Sequence, residues 1–183
     1  HQASNAAAAL VAVEAFFGDQ DLDMEAVRAG FAQVQSPGRC EVVHRNPTII
    51  LDAAHNPHGA AAIAQTLQSE FTFDEVIGIF APMADKDVPG ILLELEQIMD
   101  YIIVTGNSSP RAMQISELEK MAQEFFGADR VFTADSLSSG IEKAMADANR
   151  PLSEDSIGIL ITGSVVSVGE ARTIIRKKFA KEG

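Results

Sequence analysis

The nonapeptide LDAAHNPHG, residues 51–59, joins an apolar run to a helical pattern and decides the fold class. The run before it, residues 48–51, reads Thr-Ile-Ile-Leu, and β-branched residues are typical of a strand. Pro57 suits the first position of a helix, because the N–H that proline lacks would have no partner there anyway. Asn56 has a side chain of the type that caps helix starts. The stretch therefore predicts a strand, a polar loop and a helix in succession.

The same alternation repeats along the rest of the chain. A turn at Asn46-Pro47 separates an earlier strand pattern, residues 41–44, from the run at 48–51, a hairpin-like spacing. Further strand patterns lie at 76–80, 101–104, 131–133 and 157–161, between helical patterns at 58–70, 88–98, 115–126, 136–148 and 166–180. This order predicts an α/β fold: a Rossmann-like, mostly parallel six-stranded sheet with an antiparallel edge strand, right-handed crossovers and helices on both faces.

The first 36 residues follow a different pattern. Residues 6–17 are almost entirely Ala, Leu, Val and Phe, which predicts a helix that Gly18 ends. A second helix is predicted over 24–31, with Asp21 and Asp23 as candidate caps, and a turn follows at 36–38. We predict that residues 1–36 are the end of a preceding domain plus a linker, and that residues 37–183 form the α/β domain. We expect most of the preceding domain to lie outside this sequence.

Composition and charge exclude several classes of partner. A net charge of −12 over 183 residues disfavours nucleic acid and anionic lipid, because phosphate binding depends on clustered Lys and Arg. No apolar run reaches the roughly 20 residues of a membrane span. The single cysteine, Cys40, forms no internal disulfide, which suits a reducing compartment. We expect a cytoplasmic protein that binds neither nucleic acid nor membrane.

Polar residues concentrate in the loops that follow the predicted strands, at 52–59, 81–87, 105–111 and 162–167. In parallel sheets ligands bind beyond the carboxyl ends of the strands. Asp52 could accept hydrogen bonds from a ribose or an amine, and the free N–H groups of the following helix favour an anion. We expect His55 and Asn56 to face this crevice. The alternative is that Asp52 and Asn56 only form turns and caps and that His55 is a surface histidine.

The pattern Asp-x-Ala-His-Asn-Pro at 52–57 is similar to the signature of the carboxy-terminal domain of the Mur ligase superfamily. Its continuation by His-Gly resembles the folylpolyglutamate and dihydrofolate synthase branch. Further matches occur in the family's order along essentially the whole chain: His1-Gln2-x-x-Asn5-Ala6, Pro37-Gly38-Arg39, Met83-Ala84-Asp85-Lys86-Asp87, Ser109-Pro110-Arg111-Ala112, and Gly163-Ser164 with Gly169-Glu170.

The resemblance implies an ATP-dependent ligase that adds L-glutamate to folate, as a tetrahydrofolylpolyglutamate synthase, a dihydrofolate synthase or both. ATP would phosphorylate the γ-carboxylate of a folate glutamyl tail, and the amine of free glutamate would attack the acyl phosphate. The cofactors implied are ATP and Mg²⁺, with the metal ligands in an amino-terminal ATPase domain outside this sequence. That domain, folate and L-glutamate are the implied partners.

Five residues receive roles from the resemblance. Asn5 would contact the adenine end of ATP, and Arg39 would reach its phosphates and act in catalysis. Asp52 would hold the ribose or organise the linker. His55 would act near the incoming glutamate or the terminal phosphate, and Ser164 would help to bind glutamate. The alternatives are that Asn5 caps a helix, that Arg39 is a solvated charge and that Ser164 caps the last helix.

The sequence contains no Gly-x-x-x-x-Gly-Lys-Ser/Thr phosphate loop and no Cys/His cluster typical of zinc, so we expect these residues alone to be inactive. A ligase of cell-wall precursors, the UDP-MurNAc-peptides, is the alternative enzyme. Its diaminopimelate branch shows Asp-Asn-Pro-Arg where this chain has Ser-Ser-Pro-Arg at 108–111. A non-catalytic flavodoxin-like or receiver-like module is the alternative of another class. A receiver requires an acidic pair after the first strand and a lysine after the last, and the sequence has neither.

Overall fold

The computed structural model describes residues 2–18, 22–34, 36–148 and 157–180. It divides into two compact units, His1–Ser36 and Pro37–Gly183. That the first unit is the end of an ATPase domain stays a prediction.

The first unit contains two helices. Helix α1 spans Gln2–Phe17, and Gly18 follows it at a φ of +68° with its N–H bonded to the Glu14 carbonyl. The predicted helix end at Gly18 is thus confirmed, since this left-handed conformation favours glycine. Helix α2 spans Met24–Ala32, and the Asp23 side chain caps it by accepting hydrogen bonds from two backbone N–H groups. The other candidate cap, Asp21, lies outside the described residues.

The second unit is a single sheet covered by helices. Its strands are β1 (Glu41–Arg45), β2 (Thr48–Leu51), β3 (Glu75–Phe80), β4 (Tyr101–Val104), β5 (Val131–Thr133) and β6 (Ile157–Thr162). Its helices are α3 (Pro57–Glu70), α4 (Val88–Glu96), α5 (Ile115–Phe126), α6 (Leu137–Ala148) and α7 (Val165–Phe179), with a short 3₁₀ helix at Ala128–Arg130. The strand order is β1-β2-β6-β3-β4-β5; β1 pairs antiparallel with β2 and every other pair is parallel. The predicted fold class is confirmed.

Two hydrophobic cores lie on the two faces of this sheet. One contains Ile50 and Leu160 with side chains of α3, α4 and α5, and the other contains Ile49 and Ile159 with side chains of α6 and α7. Successive strand residues alternate between the cores because side chains along a strand point to opposite faces. All six residues of β6 are buried, since this strand lies inside the sheet and is covered on both faces.

The register of the central strands brings four loops to one edge of the sheet. Leu51 pairs with Ile161, Phe80 pairs with Thr162, and Val104 pairs with Phe80. The strands β2, β6, β3 and β4 therefore end at the same level. The loops that follow them carry the polar residues considered next.

Candidate functional site

Asp52 ties the loop after β2 to the segment before β1. Its side chain is buried, and its two carboxylate oxygens each accept a backbone hydrogen bond of 2.8 Å, from Cys40 and from Ala54. The backbone repeats the connection, since the Ala53 N–H donates to the Gly38 carbonyl at 2.8 Å. The contacts of Asp52 support the linker-organising role more directly than the ribose-holding role.

Arg39 and His55 both act electrostatically on Asp52. Burial raises the pKa of the Asp52 carboxyl above 3.8, because a charge is poorly solvated there. The two backbone hydrogen bonds, the positive charge of Arg39 and the electrostatic interaction with His55 oppose that rise in the pKa. Three of the predicted site residues are therefore close enough for their charges to interact.

The backbone around Arg39 bends sharply. Gly38 has a φ of +74°, and a Cβ placed on it would lie 2.7 Å from Cγ1 of Val168, so glycine is required there. Cys40 has a φ of +46°, which is unusual for a residue with a side chain, and its N–H bond to Asp52 helps to hold it. The side chain of Arg39 between them is exposed, and no described residue forms an ion pair with it.

His55 and Asn56 differ in what they offer to a ligand. Nδ1 of the half-buried His55 lies 2.9 Å from the Ala53 carbonyl, an acceptor, so Nδ1 carries a proton and Nε2 is an acceptor in the neutral ring. Asn56 caps α3, with its side-chain oxygen accepting a 2.7 Å bond from the Gly59 N–H. The capping role of Asn56 is confirmed, and the role of His55 near glutamate stays a prediction.

Ser164 and Ser167 form a buried pair at the start of α7. Ser164 caps the helix by accepting a 3.0 Å bond from the Ser167 N–H, and the two hydroxyl oxygens lie 2.6 Å apart. The Ser167 hydroxyl also donates to the Ala81 carbonyl at 2.6 Å, which ties α7 to the loop after β3. The capping role of Ser164 is confirmed; contact between Ser164 and glutamate stays a prediction.

The loop after β4 reaches the same pair. Asn107 donates through its amide nitrogen to the Ala81 carbonyl and to the Ser167 hydroxyl, both at 3.1 Å, and its amide oxygen accepts from the Ser109 N–H. The next residue, Ser108, donates from its N–H and its hydroxyl to the Glu170 carboxylate on α7. These contacts fix the loop on the sheet edge.

Three charged side chains lie on the exposed side of the edge. Asp85 forms ion pairs with Arg111 at 2.6 Å and with Lys86 at 3.1 Å. The hydrogen bond from Arg111, and then that from Lys86, lowers the pKa of the Asp85 carboxyl to about 2. The ion pair with Arg111 joins the loop after β3 to the loop after β4.

The structure brings together the four predicted site residues of the second unit. Arg39, Asp52 and His55 lie around the end of β2, and Ser164 follows the adjacent strand β6; a 3.5 Å hydrogen bond from Thr162 to the Ala54 carbonyl joins the two loops. Asn5 is an exposed residue of α1 in the first unit. Asn107 and Ser167 were not predicted as site residues, and only their position in the loops at 105–111 and 162–167 could have indicated them. Glu170 belongs to the Gly169-Glu170 match, but its contact with Ser108 was not predicted.

The described residues contain neither a cluster of metal ligands nor a membrane-spanning helix. Those residues contain no group of three or more His, Cys, Asp and Glu side chains that could hold a metal ion. Within the same part of the chain, no helix has both the length and the apolarity to cross a membrane.

Comparisons with known proteins identify relatives of this fold. The family described as Mur ligase, glutamate ligase domain, matches residues 38–165. The dihydrofolate synthase/folylpolyglutamate synthase of Mycobacterium tuberculosis is 50% identical over 185 residues, which cover 95% of this chain and 38% of that protein.

Two solved structures match the whole fold. The folylpolyglutamate synthase of Mycobacterium tuberculosis complexed with ADP superimposes with a TM-score of 0.89 at 51% identity, over 96% of this chain and 40% of that one. Escherichia coli FolC in complex with DHPP and ADP superimposes with a TM-score of 0.79 at 26% identity, over 98% of this chain and 39% of that one. The chain thus spans about two fifths of the length of these relatives.

Proposed function

We propose, from the premise that this chain belongs to the Mur ligase family through its glutamate ligase domain, that it is the carboxy-terminal part of an ATP-dependent ligase joining L-glutamate to folate. The relatives named above as folylpolyglutamate and dihydrofolate synthases support this choice of substrates. Residues 1–36 would be the end of the ATPase domain, and the phosphate loop and Mg²⁺ ligands would lie in the preceding part of the protein.

The observation that carries the proposal is the cluster at the end of β2. The Asp52 carboxylate accepts from the Cys40 N–H and the Ala53 N–H donates to the Gly38 carbonyl, so both neighbours of the exposed Arg39 are held beside the carboxyl edge of the sheet. A guanidinium without an ion pair among the described residues is suited to a phosphate, because its planar fork stays charged and donates two parallel hydrogen bonds. Arg39 would thus neutralise the negative charge that develops during phosphoryl transfer.

His55 and Ser164 would bind the amino acid that is added. Both lie at the carboxyl ends of adjacent strands, β2 and β6. Nε2 of His55 is directed away from the hydrogen bond that Nδ1 makes, so it can meet a carboxylate when the ring is protonated. Asn5 would contact the adenine, and its exposure in α1 permits that contact. We also propose a cytoplasmic location, on the grounds of the single cysteine and the substrates.

The protein residues fit ATP better than they fit a metal ion. Arg39 offers a cation to phosphate, whereas the described residues offer no cluster of metal ligands. ATP supplies the phosphoryl group that activates the folate carboxylate. The residues of this chain would position the phosphates, orient glutamate and exclude water while the new amide bond forms.

The test is ligation by the full-length protein. Purified full-length protein should incorporate labelled glutamate into tetrahydrofolate or dihydropteroate only when ATP is present. It should not add an amino acid to a UDP-MurNAc-peptide. Residues 1–183 alone should show no ligation, because they contain no phosphate loop. Ligation only to the cell-wall precursor, or turnover by residues 1–183 alone, would contradict the proposal.

A further inference from the structure

A buried hydrogen-bond network connects Ser164 to three segments of the sheet edge. Ser167 is fully buried and Ser164 is 3% exposed. The Ser167 hydroxyl contacts the Ala81 carbonyl, the Ser164 hydroxyl and the Asn107 amide nitrogen. These contacts determine where each hydroxyl proton lies.

Counting donors and acceptors gives the direction of every bond in this network. A carbonyl oxygen only accepts, so the single hydroxyl proton of Ser167 points to Ala81 at 2.6 Å. The amide nitrogen of Asn107 only donates, so it fills one lone pair of Ser167. The 2.6 Å contact between the two serines then requires Ser164 to donate and Ser167 to accept. The hydroxyl proton of Ser164 is therefore directed into the protein, away from any ligand at the sheet edge.

We infer that Ser167 and Asn107 are positioning residues that fix Ser164 as a hydrogen-bond acceptor for the amino group of the incoming glutamate. One lone pair of the Ser164 oxygen receives the Ser167 N–H, and no other described residue donates to this oxygen, so the second lone pair can accept a ligand N–H. The inference rests on the proposed function and states which group donates the hydrogen bond in the contact between Ser164 and glutamate. Ser164 would then accept a hydrogen bond from the amine of glutamate. It would not bind a carboxylate of glutamate, because a carboxylate requires a hydrogen-bond donor.

This polarity suits the chemistry of amide formation. The amine nitrogen of glutamate forms a bond to the carbonyl carbon of the acyl phosphate, the carbon–oxygen bond to phosphate breaks, and the nitrogen loses one proton to the departing inorganic phosphate. The lone pair of the nitrogen must therefore face that carbon. An acceptor that holds one N–H of the amine leaves the nitrogen lone pair free and limits its rotation. A hydroxyl free to turn its own proton toward the nitrogen would instead bind the lone pair that must react.

The test is a double-mutant cycle in the full-length enzyme with Ser164→Ala, Ser167→Ala and the double variant. Ser167→Ala should raise the KM for glutamate by about 10-fold, because the Ser164 proton loses its internal acceptor and becomes free to face the ligand. The KM for ATP should not change. The double variant should be no worse than Ser164→Ala alone, since Ser167 acts only through Ser164. Ser167→Cys keeps the shape of the side chain but replaces the hydroxyl by a slightly larger group that is a weak acceptor, so it leaves no cavity and should also raise the KM for glutamate.

The outcomes separate this inference from the proposed function. If Ser164 instead donates to a carboxylate of glutamate, Ser167→Ala would free the Ser164 hydroxyl for that bond. The KM for glutamate would then stay unchanged or fall, and this result would overturn the inference. Additive effects in the cycle, with a lower thermal midpoint and an unchanged KM, would show a structural role only and also overturn it. In both cases the wild-type enzyme still ligates glutamate, so the proposed function stands. Absence of ligation by the wild-type enzyme contradicts the proposed function itself.

Discussion

Asp52 shows how one buried carboxylate can set the geometry of a functional loop. Both of its oxygens accept backbone N–H groups, and the positive φ of Cys40 is held in part by one of these bonds. Because a buried carboxylate without such partners would be costly, the two backbone hydrogen bonds make the arrangement possible, and the charge of the exposed Arg39 has a smaller effect. The residue that carries the family signature thus acts on the exposed arginine through the backbone.

The role of Arg39 can be tested by substitution in the full-length enzyme. Arg39→Ala should lower kcat about 10³-fold, because an arginine that stabilises phosphoryl transfer contributes on that scale. The free energy of unfolding should change by less than about 0.5 kcal/mol, because the side chain is exposed. Arg39→Lys is the control that keeps the charge and loses the planar fork, so it should recover only part of the rate. Wild-type turnover by Arg39→Ala would remove this residue from the mechanism.

The acidic pKa of Asp85 depends on Arg111. The carboxyl pKa is lowered from 3.8 to about 2 in the folded chain, first by the hydrogen bond from Arg111 and then by that from Lys86. Since the folded pKa is below the unfolded one, this ion pair stabilises the fold above pH 4, and that stabilisation is lost as the pH falls from about 4 to about 2.

Arg111→Ala should raise the Asp85 pKa toward about 3.9, the value of an isolated aspartate. The measurement is the carboxyl carbon chemical shift of Asp85 during an acid titration. Lys86→Ala is the matched control and should raise the pKa by less, because the Lys86 contact is the longer one at 3.1 Å. An Asp85 pKa that stays near 2 without Arg111 would show that another group holds the carboxylate.

At the scale of elements, the turn from β6 into α7 depends on Gly163. Its φ is +118°, and a Cβ there would lie 2.8 Å from the Ala81 carbonyl carbon and 3.0 Å from the Pro82 nitrogen. Both neighbours are backbone atoms of the loop after β3, so they cannot move aside as a flexible side chain would. The glycine thus allows two strand-end loops to approach closely.

Gly163→Ala should lower the free energy of unfolding by about 2 to 5 kcal/mol, from backbone strain and overpacking together. Gly169→Ala is the matched control in α7, where a Cβ meets no atom within 4 Å. It should raise the free energy of unfolding by about 0.5 to 1 kcal/mol, because alanine loses less backbone entropy than glycine in a helix. Urea denaturation of both variants checks the difference. Equal effects at the two positions would mean that the close approach to Ala81 is relieved at little cost.

Local patterns predicted the elements well, whereas contacts between distant loops could not be predicted. The strands at 48–51, 101–104 and 131–133 have the predicted bounds, because β-branched runs between turn residues are a strong local signal. Helix α4 ends at Glu96 and not at residue 98, since Ile98 and Met99 both bond to the Leu95 carbonyl in a final turn. The position of β6 between β2 and β3 depends on pairing across more than 70 residues, which no local pattern indicates.

For the candidate site, the sequence indicated the loops, and the family resemblance assigned roles that stay predictions. Asp52, His55 and Ser164 follow strands, and position alone marked their loops. Asn107 and Ser167 were missed because their partners lie 26 to 86 residues away in the sequence. The bond from Ser167 N–H to Ser164 is local, and a serine three residues after a helix cap could have indicated that part of the network.

At the scale of the whole molecule, the division into two units has a consequence for stability. The members of both hydrophobic cores, including their partly buried neighbours, all lie beyond residue 39. The second unit, Pro37–Gly183, also contains the complete six-stranded sheet. Within the described residues, the side chains that fill both cores therefore all belong to the second unit.

We therefore expect a fragment of residues 37–183 to fold without the first unit. It should unfold in a single cooperative transition. Its thermal midpoint should lie within about 5 °C of that of residues 1–183, which corresponds to a loss of no more than about 1 kcal/mol for a domain of this size. Circular dichroism at 222 nm measures the transition and its midpoint, and dispersed amide resonances show that the fragment is folded. A matched variant, Gly163→Ala in the same fragment, should lower the midpoint and so confirm that the transition reports the sheet. A fragment with no cooperative transition would show that α1 or α2 contributes an essential part of the core.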